Sequence, residues 1–188
     1  VSDTLFSRVR EGQIAIDFIR PANLLGFWFA EDVGQSVSAM ARFCVPVLTV
    51  SVLFVQAPLP ADLSAGLLFI PSCLLSYVLL WQTSALVGLS AFWVTEFGNI
   101  GAIKNIMVVI LSGQLIPLWL FPDVVQTISR FFPFQYTYQA PLEIYIGRIL
   151  PGEAFRVMGI QGVWIGLFTL LLYGVWQRAR KRVFVQGG

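Results

Sequence analysis

Four long stretches without a charged residue constrain this chain more than any other feature of its sequence. They run over residues 43–61, 63–95, 105–122 and 157–177. A helix needs about 20 mostly apolar residues to cross the hydrocarbon core of a bilayer. Each stretch is long enough for one crossing, and the longest is too short for two helices and a turn. The predicted membrane spans are therefore residues 36–57, 64–90, 97–120 and 157–177.

The composition supports a membrane protein and excludes two other classes. Hydrophobic residues make up 57% of the chain and charged residues 12%, and the mean hydropathy is +0.78. A soluble domain has about 45–50% apolar and about 25% charged residues. A disordered chain is rich in charge and poor in apolar residues. A bilayer is the remaining solvent that fits.

Several kinds of chemistry are excluded by the residue types. The sequence has no histidine, which removes Ser-His-Asp and Cys-His nucleophile systems and histidine-ligated metals. Cys44 and Cys73 lie inside apolar stretches and cannot build a disulfide framework. The net charge of +2 does not favour nucleic-acid binding.

The positions of arginine and lysine predict the orientation of the spans. Nine of these residues lie in the N-terminal arm, at the start of the first span, near the mid-chain turn and in the tail 178–188. Three others, Arg130, Arg148 and Arg156, lie on the opposite side. Both chain ends are therefore predicted to be cytoplasmic, and residues 121–156 to be external.

Residues 10–20 are predicted to form an amphipathic helix before the first span. Four polar residues fall on one narrow stripe at helical spacing; these are Arg10, Gln13, Asp17 and Arg20. Ile14, Phe18 and Ile19 occupy the opposite face, and Pro21 ends the helix. Such a helix either lies in the membrane interface or docks onto a cytoplasmic partner.

Residues 112–133 interrupt the third apolar stretch and follow it with a short amphipathic segment. Ser112, Gly113 and Pro117 break the span near its outer end, and Pro122 stops it. Residues 123–131 show helical spacing of apolar residues but are less than half the length needed to cross. The segment is predicted to form a hairpin, either flat on the outer surface or re-entrant.

These two segments together resemble the permease subunit of ABC transporters of the type-2 exporter class. Permeases of this class have Glu-x-Gly with a proline nine residues after the glycine, and here Glu11-Gly12-Gln13-Ile14 is followed by Phe18 and Pro21. They also have Leu-Ser-Gly with prolines four, nine and twenty residues after the glycine. Here Leu111-Ser112-Gly113 is followed by Pro117, Pro122 and Pro133.

The resemblance implies an all-helical integral membrane bundle and a role in transport. It covers essentially the whole chain, which resembles the C-terminal part of such a permease without its first two spans. It implies one permease domain over residues 1–188, with a cytoplasmic coupling segment over 5–35, an external re-entrant hairpin over 121–150 and a basic cytoplasmic tail. Ala15 departs from the family, in which an acidic residue is common at this position.

The resemblance also implies partners. Two copies of a separate ATPase subunit would dock onto residues 10–21, and a second permease subunit, identical or different, would complete the translocation path in the inner (plasma) membrane. Lys104 and Lys181 are the only lysines, and neither follows a glycine as the Walker A phosphate-binding pattern requires. The chain is therefore not expected to be an enzyme or to bind a cofactor, and ATP-Mg would bind the partner. The alternative is a membrane assembly or scaffold protein without transport activity.

Overall fold

The computed structural model describes residues 7, 23–55, 59–93 and 98–186. Of these residues 85% are helical and none is in a strand, which confirms the all-helical prediction. The described residues between Gly12 and Leu59 belong to one compact unit, and those from Pro60 onward belong to a second.

The first unit consists of one long helical run. It contains helix α1 (Leu24–Ala39), a π-helical turn (Met40–Cys44), helix α2 (Val45–Val50) and a second π-helical turn (Ser51–Val55). Asn23 caps α1, with its side-chain Oδ1 accepting a hydrogen bond from the N–H of Gly26 at 3.4 Å. Pro46 lies in the first turn of α2 and has no N–H to donate. The helix widens into the first π turn directly before this proline.

This run is apolar and long enough to cross a membrane, over Leu24–Phe54. It begins well before the first predicted span, residues 36–57. The predicted coupling segment, residues 5–35, overlaps this helix and includes the charged residues Glu31 and Asp32. Both residues lie inside α1, since charged side chains near the end of a span can still be accommodated in a helix that extends out of the hydrocarbon core.

The second unit contains two long helices and a set of shorter elements between them. The helices are α3 (Leu63–Leu89), α4 (Gly98–Leu111), α5 (Asp123–Arg130), α6 (Gln139–Tyr145) and α7 (Pro151–Gln186). Three short 3-10 helices cover Ser90–Phe92, Leu118–Leu120 and Pro133–Tyr136.

Three helices are candidate membrane spans in the part of the chain that the structure describes. Besides the run in the first unit, they are Leu63–Phe92 and Pro151–Arg180, which contain the predicted spans 64–90 and 157–177. The predicted span 97–120 is not confirmed as a continuous helix, because α4 ends at Leu111 after 14 residues. At 1.5 Å per residue α4 is about 21 Å long, short of the hydrocarbon thickness of about 30 Å.

Helices α3 and α7 form the main helix pair of the second unit. Their fully buried positions include Leu79 and Ala85 on α3, and Ala154 and Ala179 on α7. Small side chains at such positions allow the backbones of membrane helices to approach closely. Helix α3 continues through Pro71, which spanning helices tolerate when neighbouring groups satisfy the freed carbonyl.

Asp62 defines the start of α3. Its carboxylate accepts hydrogen bonds from the Ser64 hydroxyl and from the Ala65 N–H, each at 2.6 Å. The Ser64 bond first, and the Ala65 bond second, hold the pKa of this carboxyl below its ordinary value of 3.8. The charged side chain therefore caps the helix at neutral pH.

Candidate functional site

The predicted ATPase-coupling residues cannot be placed in the fold. They are Arg10, Glu11, Gly12, Gln13, Ile14, Asp17, Phe18, Arg20 and Pro21, and all of them lie outside the described residues. The candidate site is therefore built from the other predicted set, Gly113, Pro117, Pro122 and Pro133, and from what surrounds it.

Gly113 has a conformation and a close neighbour that both require glycine. Helix α4 ends with the N–H of Ser112 donating to the carbonyl of Val108 at 3.0 Å. The next residue, Gly113, has φ +73°, in the left-handed region that costs other residues strain. A Cβ here would also overlap Oε1 of Gln139. The Leu-Ser-Gly motif thus ends the helix and turns the chain.

The three prolines begin elements and do not bend a span. Pro117 precedes the 3-10 helix at Leu118–Leu120, and Pro122 immediately precedes α5. Pro133 is the first residue of the next 3-10 helix and is buried. A proline is favoured at such positions because its missing N–H would have no helical partner there. Pro117 therefore does not lie within the helix of the third apolar stretch, since α4 has already ended six residues earlier, at Leu111.

Gln139, the first residue of α6, connects this helix to the chain that follows α4. Its N–H donates to the carbonyl of Ser112 at 3.0 Å, and its side-chain Oε1 accepts from the N–H of Leu118 at 3.1 Å. Its Nε2 donates to Oε1 of Glu143 at 2.8 Å. The side chain is 7% exposed. One buried glutamine thus connects both arms of the segment 112–146, which we call the hairpin.

A second buried glutamine attaches the hairpin to α3 and α7. Nε2 of Gln161 donates to the carbonyl of Tyr136 at 2.8 Å and to Oγ of Ser76 at 3.0 Å, and lies 3.3 Å from the carbonyl of Ser72. The hydroxyl of Ser76 also reaches the carbonyl of Tyr136, at 2.9 Å. Gln161 and Ser72 are fully buried. We call Ser72, Ser76, Tyr136 and Gln161 the polar junction.

Two further polar contacts connect the helices of this unit. Nε2 of Gln82 donates to Oγ1 of Thr169 at 2.8 Å and to the carbonyl of Ile165 at 3.2 Å, which links α3 to α7. Nζ of Lys104 lies 3.5 Å from Oγ of Ser84, which links α4 to α3. Hydrogen bonds between helices in a bilayer contribute about 0.6 kcal/mol each on average.

A cavity of about 360 Å³ lies between the hairpin and the start of α7. Its polar lining residues are Arg130, Gln135, Gln139, Glu143, Glu153 and Arg156. Its other lining residues are Tyr136, Ala140, Ile149, Val157 and Ile160. We call this space the hairpin cavity. It shares Gln139 with the hairpin and Tyr136 with the polar junction.

The charged groups of the hairpin cavity balance one another. Arg130 and Arg156 supply two positive charges, and Glu143 and Glu153 supply two negative ones. A third arginine of this region, Arg148, instead lies over the ring of Trp119, with 3.9 Å between the guanidinium carbon and the ring centre. No group of acidic, cysteine or histidine residues in the described ranges has the arrangement of a metal site.

Gln139, Gln161 and the hairpin cavity were not predicted from the sequence. The signal for Gln161 and Gln82 was present, because each is an amide inside a charge-free stretch. A buried amide needs hydrogen-bond partners, so both residues predict contacts between helices. The cavity has no such signal, since its residues come from four separate parts of the sequence.

A comparison with protein families identifies the chain. A family model described as "ABC-2 family transporter protein" matches residues 2–187. The chain belongs to this family. No curated protein and no solved structure matches it.

Membership of the ABC-2 family confirms the family recognised from the two sequence motifs. The chain is a membrane permease of the ABC transporter type and is not itself a catalytic domain. The match and the apolar helices together make it a multi-pass membrane protein. The Leu-Ser-Gly motif that pointed to this family is the point at which α4 ends and the hairpin begins.

Proposed function

We propose that this ABC-2 permease forms part of the translocation path of an ATP-driven exporter. ATP hydrolysis takes place on a separate ATPase subunit, present in two copies, which docks onto residues 10–21. A second permease subunit, identical or different, completes the path. In this proposal the complex lies in the plasma membrane with both ends of the chain in the cytoplasm, as the distribution of arginine and lysine predicts.

The observation that carries the proposal is the polar junction. A transporter must move between alternative states of a packed bundle, and a partner can only bias states that the bundle already has. The amide of Gln161 joins α3, α7 and the hairpin through hydrogen bonds of 2.8 and 3.0 Å. These hydrogen bonds connect the hairpin to both long helices, and a movement transmitted through the bundle requires such connections.

The proposed coupling segment is tested by co-purification with the ATPase subunit. Gly12→Trp places a bulky side chain where the motif has glycine, and Arg20→Glu reverses a charge on the polar stripe. We expect each change to reduce the amount of ATPase retained on the permease. The Arg20→Glu complex is also expected to dissociate at lower salt, because exposed charge pairs are screened.

Matched controls separate docking from misfolding. Gly34→Trp introduces the same residue at an exposed glycine of α1 that has no neighbouring atom within 4 Å of a Cβ. Arg42→Glu makes the same charge reversal at an exposed position. The controls are expected to retain the ATPase. Undiminished retention by both Gly12→Trp and Arg20→Glu would refute coupling through residues 10–21.

We further propose that the hairpin is re-entrant and caps the outer end of the path. Its apolar side chains support this placement, because Leu115, Leu120, Val124 and Phe131 are each at least two-thirds exposed. Such side chains need an apolar environment outside this chain. A flat interfacial hairpin and a re-entrant hairpin both provide one, but they differ in depth.

Spin labels distinguish the two placements. Labels at Val125 and Ile128 on α5 report their depth through collisions with oxygen, which concentrates in lipid, and with a water-soluble relaxation agent. A re-entrant hairpin predicts accessibilities that change when the ATPase binds nucleotide. Values typical of a flat surface helix, unchanged by nucleotide, would exclude the capping role.

A further inference from the structure

The hairpin cavity holds four charged side chains apart. Arg130 comes from the end of α5, Glu143 from α6, and Glu153 and Arg156 from the first two turns of α7. No ion pair joins either arginine to either glutamate among the residues that the structure describes. Arg130, Glu153 and Arg156 are exposed and Glu143 is half-buried, so the four charged groups are accessible from solvent. Here the space between them is open, so a ligand that carries both charges can satisfy both.

The orientation of Glu143 adds to this arrangement. One of its carboxylate oxygens accepts from Nε2 of Gln139 at 2.8 Å. Gln139 is itself fixed by its bonds to Ser112 and Leu118. The carboxylate is thus positioned by a buried residue and does not depend on the ligand for its place. Preorganisation of this kind lowers the entropy cost of binding.

We propose that the hairpin cavity binds a phosphoethanolamine group, a phosphate ester joined to a primary ammonium. Two guanidinium groups, from Arg130 and Arg156, match the several oxygens of a phosphate, since arginine binds phosphate with paired N–H donors. Glu143 and Glu153 accept hydrogen bonds from the ammonium. The net charge of the four side chains is zero, which matches a zwitterion.

The cavity discriminates against related groups. A quaternary ammonium has no N–H to donate and is usually bound by several aromatic rings, whereas Tyr136 is the one aromatic side chain in the cavity lining. A phosphate ester without an amine leaves the two glutamates without a counter-charge. The volume of about 360 Å³ is near the lower end for ligand sites. It suits a head group or a small soluble molecule, not a whole lipid.

The experiment measures lipid retention on the purified full chain without any ATPase, so that it is independent of the proposed function. The protein is exposed in detergent to an equal mixture of phosphatidylethanolamine, phosphatidylcholine and phosphatidylglycerol with identical acyl chains. Native mass spectrometry then measures the bound lipids. Free phosphoethanolamine is titrated in parallel by calorimetry, which distinguishes a soluble ligand from a lipid head group.

Three single variants test the site. Arg130→Gln and Arg156→Gln each remove one guanidinium, and Glu153→Gln removes one carboxylate. Loss of a hydrogen bond to a charged group predicts binding weaker by at least about tenfold. Arg178→Gln is the matched control, since it changes an exposed arginine of the same helix, α7, outside the cavity. Circular dichroism and elution volume check that each variant is folded.

The outcomes are distinct. Preferential retention of phosphatidylethanolamine that is lost in the three variants and kept in Arg178→Gln supports the proposal with a lipid as the ligand. Calorimetric binding of free phosphoethanolamine with the same pattern of loss supports it with a soluble ligand. Equal retention of the three lipids without binding of free phosphoethanolamine overturns it. So does a preference that survives both arginine substitutions.

Discussion

Replacing Gln161 with leucine tests the polar junction most directly. Leucine has a similar volume and fits a buried position, but it removes every hydrogen bond of the amide. Nε2 of Gln161 has two hydrogens and three acceptors within 3.3 Å, so it makes two good bonds at a time, of which those to Tyr136 and Ser76 are the shortest. We expect the substitution to destabilise the contact between the hairpin and the two long helices.

The size of the effect follows from what the substitution leaves behind. The carbonyl of Tyr136 keeps a donor, because the hydroxyl of Ser76 lies 2.9 Å from it. Leucine also removes Oε1 of Gln161, which accepts from the buried Ser72 hydroxyl at 3.3 Å. The loss is therefore that of three hydrogen bonds in a membrane protein, about 1.8 kcal/mol at about 0.6 kcal/mol each. Ser76→Ala alone likewise leaves the carbonyl with Gln161 as its donor.

The double substitution removes both side-chain donors of Tyr136. An unsatisfied buried carbonyl costs about 1–3 kcal/mol, and this cost occurs in neither single variant. The loss in Gln161→Leu with Ser76→Ala should therefore exceed the sum of the single losses by about 1 kcal/mol or more. Residues in one hydrogen-bond network commonly show coupling of this size.

The assay is equilibrium unfolding in mixed micelles, followed by tryptophan fluorescence. Gln177→Leu serves as the control, because Gln177 lies on the same helix and bonds only to the neighbouring Arg180 in the contacts described. The control should change the free energy of unfolding by less than about 0.5 kcal/mol. Strict additivity of Gln161→Leu and Ser76→Ala would refute the shared carbonyl, and equal stability of Gln161→Leu and Gln177→Leu would refute the junction itself.

Three further predictions concern other parts of the chain. Gly113→Ala should destabilise the fold by about 1–3 kcal/mol because of its positive φ. Gly159→Ala, inside α7 where a Cβ would meet no atom within 4 Å, should be neutral or stabilising; thermal unfolding measures both. The cap of α3 by Asp62 is complete above its ordinary pKa of 3.8 and should be lost as the pH falls through the lowered pKa of the folded state, which hydrogen exchange of the first turn of α3 detects. A cysteine at position 60, but not one at position 186, should react with an impermeant thiol reagent in intact cells on a background without native cysteines; the reverse pattern would contradict the predicted orientation.

The long helices could be predicted from the sequence because their signal is local. The stretches 63–95 and 157–177 lack charges; α3 begins at the start of the first, and α7 contains the second. The stretch 105–122 has the same signal, yet its helix ends at Leu111. Hydropathy counts apolar side chains and is insensitive to backbone conformation, whereas the end of α4 depends on the left-handed conformation of Gly113.

The candidate site was predictable only in part. The spacing of Gly113, Pro117, Pro122 and Pro133 predicted a hairpin with breaks, and each of the four residues lies at such a break. The contacts of Gln161 with Tyr136 join residues 25 positions apart, and those with Ser76 join residues 85 apart. Such pairings depend on how the helices pack, which no local pattern in a single sequence specifies.

The short length of α4 has a consequence for the synthesis of the protein. A helix of 14 residues that carries Lys104 is a weak signal for membrane insertion, because a lysine near the centre of a span costs about 2.5–3.5 kcal/mol. The long apolar helix α3 precedes α4 in the chain, and it offers Ser84 as a partner for the ammonium at 3.5 Å. We expect α4 to enter the bilayer only after α3 is in place, so the order of translation itself contributes to correct assembly.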